Sequence, residues 1–244
     1  ASKPTPVTDI QAAVAGGKIY VPGGRLSNGQ PTDILEIYNP REDNWVTGAS
    51  LPLPLSAYTL VAFEGDLYLF GGWNGTEYTN LSLRYDPGQD EWHFLTPMPE
   101  ARGFAGAAHV GGKIYVVGGY DGTMFLTNND IYSPELEETA QPPWKTGAPL
   151  PEGRSAMGIA SVVDNLYLIG GEGPSIEFFT QMKYSPSTDA WEITTNPLAE
   201  PWAYMGVVPL STTLYALGGK LGNQPTERNL VYQVIFSISI PIAP

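Results

Sequence analysis

The 244-residue chain contains no cysteine and only two histidines, His93 and His109. Without thiols it has no disulfide framework and no thiolate nucleophile, and the redox state of its compartment leaves no mark on it. A Ser-His-Asp hydrolase would have to use one of those two histidines, and no Gly-x-Ser-x-Gly elbow accompanies them. His93 follows Trp92 in an outer strand and His109 falls in an apolar stretch, so both read as structural. Basic residues are scarce too. Twelve Lys and Arg face 25 Asp and Glu, for a net charge of −13, which excludes nucleic acid and anionic membrane surfaces as partners because both require concentrated positive charge. The longest apolar run, Val234 to Ile242, alternates with serine and is too short to span a bilayer, so no membrane insertion is expected. No targeting signature, phosphate loop or dinucleotide fingerprint is visible, and no cofactor is expected.

Glycine, by contrast, is plentiful and periodic. Gly-Gly doublets stand at 23–24, 71–72, 118–119, 170–171 and 218–219, spaced by 48, 47, 52 and 48 residues. Each has a tyrosine three positions before it: Tyr20, Tyr68, Tyr115, Tyr167 and Tyr215. A second tyrosine follows as Tyr38, Tyr85, Tyr132, Tyr184 and Tyr232, and then, in four units, a tryptophan: Trp45, Trp92, Trp144 and Trp191. The Tyr-to-Trp gap is 7 residues in three units and 12 in the third, so the extra residues within Glu135 to Pro143 predict an enlarged loop between strands. Repeats of this length bury their apolar faces only by stacking on one another.

Local chemistry gives four short strands per unit. A small-residue apolar stretch such as Gly106 to Val110 leads through a turn into Lys113-Ile114-Tyr115-Val116-Val117, rich in β-formers and ending at the doublet. A third strand runs into Tyr-x-Pro turns and a fourth begins at the tryptophan. Aromatics that recur in every unit are read as packing between units, since a buried Tyr or Trp removes roughly 150–250 Å² from water.

These residues resemble the kelch family, whose repeat reads Gly-Lys-Ile-Tyr-Val-x-Gly-Gly, Tyr-Asp-Pro and then Trp. The resemblance covers essentially the whole chain and implies an all-β fold: a β-propeller of five four-stranded blades over residues 1–244 as a single domain, expected to be monomeric. The first six residues align with Ala49 to Pro54, the exit of a blade, so the chain is expected to start at a blade boundary. The last unit has Ser239 where the tryptophan would stand. Two expectations stay open: a closed five-bladed ring, or a six-bladed parent lacking one blade.

Function is sought where the repeat fails to repeat. The residue after each doublet reads Arg25, Trp73, Tyr120, Glu172 and Lys220, and the residue sixteen before its first glycine reads Val7, Leu55, Arg102, Arg154 and Trp202. Antiparallel pairing puts both positions at one rim. Four of the ten are basic, against about half of one expected from 12 in 244. Such a rim would attract an anionic ligand, with Trp73, Tyr120 and Trp202 as flat apolar platforms. Neighbours Asn74, Asp121, Met124, Phe125, Ser155 and Tyr204 are weaker candidates. Kelch proteins that bind acidic motifs place arginines at the positions that Arg25, Arg102 and Arg154 occupy; the competing expectation is that Arg102 and Arg154 tie blades together through carboxylates.

The expected role is non-catalytic recognition of a protein, an acidic peptide or a small acidic ligand. The resemblance also admits a sugar mutarotase using Arg25, Arg102, Arg154 and Glu172, or an extracellular sensory or adhesive domain of a longer bacterial polypeptide. It does not admit the copper-radical oxidases of this scaffold, which need a Cys-linked tyrosine.

Overall fold

The computed structural model describes residues 1–174, 181–194 and 201–234. Each of the first four repeats forms one four-stranded antiparallel sheet in which sequential strands are neighbours. Blade one comprises Ala13–Ala15, Lys18–Pro22, Leu35–Asn39 and Asn44–Gly48; blade two comprises Thr59–Phe63, Asp66–Phe70, Ser82–Asp86 and Glu91–Phe94. Blade three has Gly106–Val110, Lys113–Val117, Asn129–Tyr132 and Trp144–Thr146, and blade four Gly158–Val162, Asn165–Ile169, Gln181–Ser185 and Ala190–Thr194. The fifth forms a three-stranded sheet of Gly206–Leu210, Thr213–Leu217 and Asn229–Gln233 and a second, smaller one. The end of the apolar run, from Ile235, lies outside the described residues. The long third period is a loop, as expected, and carries a single 3-10 turn at Pro134–Leu136.

The core lies between blades. Ala108, Val110, Tyr115, Val117 and Ile131 on one face of blade three pack on Met157, Leu166, Leu168, Met182 and Tyr184 of blade four, and the other successive pairs repeat this arrangement. The doublets weld these joints at the backbone. The second glycine donates its N–H to a carbonyl of the next blade: Gly24 to Leu55, Gly119 to Arg154 and Gly171 to Trp202 at 2.8 Å, and Gly72 to Arg102 at 2.9 Å. The first glycine has φ between +59 and +66° in these four blades, and a Cβ there would stand 2.0–2.4 Å from the same carbonyl oxygen. Left-handed backbone and close approach together require glycine.

A second weld runs along the outer edge. Each fourth-strand tryptophan donates its indole N–H to a carbonyl before it in the chain: Trp45 to Ala1, Trp92 to Ala49, Trp144 to Thr96 and Trp191 to Ala148, at 2.9–3.1 Å. Five residues after each third-strand tyrosine stands an acid that accepts its hydroxyl, in the pairs Tyr38–Asp43, Tyr85–Asp90, Tyr132–Glu137 and Tyr184–Asp189, at 2.5–2.6 Å. These carboxylates also accept backbone N–H groups of the preceding blade, Ala49 to Asp90 at 2.7 Å and Ala148 to Asp189 at 2.6 Å. Asp90, Glu137 and Asp189 thus link neighbouring blades from the edge of the molecule, while Asp43 takes the N-terminal ammonium of Ala1.

Candidate functional site

The post-doublet residue and the lead-in to each first strand pair antiparallel, as the spacing predicts: Thr8 with Arg25, Ser56 with Trp73, Gly103 with Tyr120 and Ser155 with Glu172. Ala203 pairs with Lys220 in the small mouth sheet formed by Trp202–Ala203, Lys220–Leu221 and Gln224–Pro225. The five post-doublet positions therefore share one rim.

The other predicted position is one residue too early. In extended chain, neighbours point to opposite sides, so while Gly103 meets the rim, Arg102 turns inward onto Asp130 and Gly119 of its own blade. This corrects the rim placement of three residues. Arg102 is 0 % exposed and ion-paired to Asp130 at 2.6 Å; Arg154 is 3 % exposed and donates to the Gly170 carbonyl at 3.1 Å; Trp202 is 0 % exposed and donates to the Gly218 carbonyl at 2.6 Å. Burial pushes the Arg154 pKa down to about 10, which still leaves it a cation at neutral pH. The arginine side chains run along the second glycines of their blades, so a Cβ at Gly119 or Gly171 would meet their methylenes at 2.8–3.0 Å.

Two residues beyond the early position lies a ring that the periodicity alone did not single out. Asp9, Ala57, Phe104, Ala156 and Tyr204 occupy equivalent places, and all five adopt positive φ between 52 and 60°. Their backbones form a relay: Ala57 N–H donates to the Asp9 carbonyl, Phe104 to Ala57, Ala156 to Phe104 and Tyr204 to Ala156, at 2.7–2.8 Å. This relay runs along the mouth from Asp9 to Tyr204. It lines a cavity of about 630 Å³ whose walls carry Arg25, Tyr78, Phe104, Tyr204 and Lys220 beside Asp9.

The charges there are partly spoken for. Arg25 Nε sits 3.0 Å from Asp9 Oδ2, with both side chains part-exposed, and the Lys220 ammonium lies 4.8 Å above the Tyr204 ring. Glu172 does not line the cavity itself; it accepts the Tyr204 hydroxyl at 2.8 Å. Burial, with this carboxylate beside it, raises the Tyr204 pKa, so the phenol stays protonated. Trp73 and Tyr120 stand one layer out, packed edge-on against Tyr78 with ring centroids 5.1 and 5.9 Å away. Tyr78 bridges them to Phe104, which in turn meets Tyr204 edge-on at 5.8 Å. Tyr78 and Phe104 escaped sequence reasoning; Tyr204 appeared only as a neighbour. Among the described residues no cluster of His, Asp and Glu suits a metal ion, and no helix is long and apolar enough to cross a membrane.

Comparison with known proteins agrees with this architecture. The family model described as the KLHDC2/KLHL20/DRC7 Kelch-repeats domain matches residues 9–219. Alpha-scruin of Limulus polyphemus is 42 % identical over 55 residues, covering 22 % of this chain and 6 % of its own length. Kelch-like protein 33 of Homo sapiens is 42 % identical over 60 residues (25 % of this chain, 11 % of its own), and the Kelch repeat and BTB domain-containing protein A55 of Vaccinia virus (strain Western Reserve) is 33 % identical over 76 (31 % and 13 %). The matches thus span only a small part of those relatives. The solved structure titled "Structure of YjhT" superposes with a TM-score of 0.83 at 17 % identity, covering 95 % of this chain and 83 % of that one. With repeats, blades and family model in agreement, the chain belongs to the kelch-repeat family.

Proposed function

We propose that the mouth of this propeller is a non-catalytic recognition site for a protein segment, an acidic peptide or a small acidic ligand. One observation carries the reading: Arg25 and Lys220, on a body of net charge −13, both face a cavity walled by Tyr78, Phe104 and Tyr204. A carboxylate would exchange Asp9 for itself at the Arg25 fork or reach the Lys220 ammonium, while an apolar portion lies against the aromatic wall. Thermal-shift screening of acidic peptides and sugar acids against the intact chain tests it, since a ligand that binds only the folded form raises the transition. Arg25→Ala with Lys220→Ala should weaken any hit by about 10-fold or more, as loss of a charged hydrogen bond of ~1.5–3 kcal/mol requires. A hit that binds the double variant equally well refutes the assignment.

The Tyr204–Glu172 pair favours one second reading, a carbohydrate-active site in which a sugar ring stacks on the aromatic wall and exchanges a proton with this pair. Accelerated anomer interconversion followed by NMR, lost in Tyr204→Phe, would support it; unchanged rates with the intact chain would dismiss it.

A further inference from the structure

The repeat also fails at the end of the propeller opposite the mouth. First strands run from the mouth to this end and second strands return from it, so the turns at 64–65 and 111–112 stand there. On the face of blade two that packs on blade three, Tyr68 lies opposite Arg84, and Arg84 opposite His93. The equivalents of Arg84 in blades one and three are Ile37 and Ile131, both buried. Blade four does place a cation there, Lys183, but it faces Glu192 across the strands at 3.8 Å. Arg84 faces an imidazole, which cannot neutralise it.

The second departure is the insertion in blade three, which converges on the same place. Its Glu137 accepts the Thr96 N–H and, at 2.6 Å, the Tyr132 hydroxyl, which holds the 3-10 turn Pro134–Leu136 against the outer edge of blade two. Two adjoining cavities result, of about 550 and 420 Å³, with Tyr68, Arg84, Pro134 and Glu135 in the walls of both. Each falls within the roughly 300–1,000 Å³ of small-molecule sites. Their polar groups are left wanting partners of both kinds. Among the described residues, Arg84 Nε and His93 Nε2 are buried without a hydrogen-bond partner, and Asp66 Oδ2 stands 3.6 Å from Arg84 Nε, too far for a hydrogen bond. Burial raises the Asp66 pKa against the pull of Arg84, so this carboxylate would gain from a closer donor.

From this lining we infer a second ligand site, independent of the mouth, that takes a neutral saccharide. The signs of charge argue against other occupants. An anion would meet Asp66, Glu135 and Glu138, and a cation would meet Arg84 in the shared wall. A hydroxyl is donor and acceptor at once, so it can accept from Arg84 Nε while donating to Asp66 Oδ2, and it serves His93 Nε2 in either tautomer. Neighbouring hydroxyls of one sugar ring repeat that pairing. Phe94, 64 % exposed and in the wall of the smaller cavity, offers aromatic surface to the apolar side of the ring. Glu137 is already committed to Thr96 and Tyr132, which leaves the exposed Glu135 and Glu138 to receive further hydroxyls.

Saturation-transfer NMR on the intact chain, with the methyl glycosides of glucose, galactose and mannose and with maltose as probes, tests this. At least one probe should receive saturation. Arg84→Met should weaken its binding by about 10-fold or more, as loss of a hydrogen bond to a charged group requires. Phe94→Ala, a change at an exposed side chain that should keep the thermal transition, should weaken it by about 2- to 10-fold, and so reports on the site even if Arg84→Met unfolds the chain. Arg25→Ala with Lys220→Ala should leave it unchanged, which separates this site from the mouth. Saturation of none of the four probes, a probe bound equally well by the Phe94→Ala variant, or binding lost only in the mouth variant overturns the inference. So does a thermal shift given by spermidine or inorganic phosphate, abolished by Phe94→Ala or Arg84→Met, when no sugar gives one, because the occupant is then an ion.

Discussion

Arg102 and Arg25 are both cations paired with a carboxylate, yet they do opposite work. The Arg102–Asp130 pair is sealed, with side chains 0 and 2 % exposed, whereas Arg25 and Asp9 are 35 and 24 % exposed at the mouth. A sealed pair has paid its desolvation and cannot release either partner, because the charge left behind would be stranded in low dielectric. A part-exposed pair costs little to open, so its cation is available to a ligand. A surplus of basic residues along the chain therefore says less about binding than the burial of each one.

Breaking the sealed pair should have the largest effect. Asp130→Ala is expected to destabilise the fold by about 3–5 kcal/mol, read by thermal or urea unfolding, and Arg102→Met with Asp130→Leu should recover most of it. If Arg102→Ala with Arg154→Ala unfolds at the wild-type temperature, these arginines are not struts and the contrast fails. Two doublets differ next. Gly118→Ala and Gly218→Ala share a left-handed backbone cost of about 1–2 kcal/mol, but an added Cβ stands 2.3 Å from the Arg154 carbonyl at Gly118 and 3.9 Å from the Thr226 carbonyl at Gly218. Overpacking at Gly118 should add about 1–3 kcal/mol, and equal losses would show that the approach is relaxed in solution. Arg25→Ala should cost under about 1 kcal/mol of stability, as an exposed pair does; a loss matching that of Asp130→Ala would erase the distinction.

The smallest effect is in acid. The Tyr184 hydroxyl and then the Ala148 N–H hold the Asp189 carboxyl below its ordinary pKa. A depressed folded pKa contributes stability above the unfolded value, about 3.9, that is lost as pH falls through the folded one. Asp189→Asn should therefore flatten the fall in melting temperature below about pH 4; an unchanged acid limb would remove the carboxylate from the joint.

Most of the architecture was legible because packing between identical blades forces identical residues: Tyr115 and Gly118 recur since each joint needs the same volume and the same turn. The mouth was less legible for the converse reason. Its ring is held by the backbone, so Asp9, Ala57, Phe104, Ala156 and Tyr204 share no side-chain chemistry to repeat. Arg102 was misplaced by a single residue, which in an extended strand is the difference between two faces. The acids at 43, 90, 137 and 189 were within reach, at a fixed offset from a repeated tyrosine, with Ser237 at that offset in the last unit.

Because main-chain hydrogen bonds carry that left-handed arc from Asp9 to Tyr204, the backbone sets the frame in which its side chains stand. Exchange of Phe104 for a residue of different size or charge is therefore expected to change the lining of the mouth while the blades behind it keep their packing.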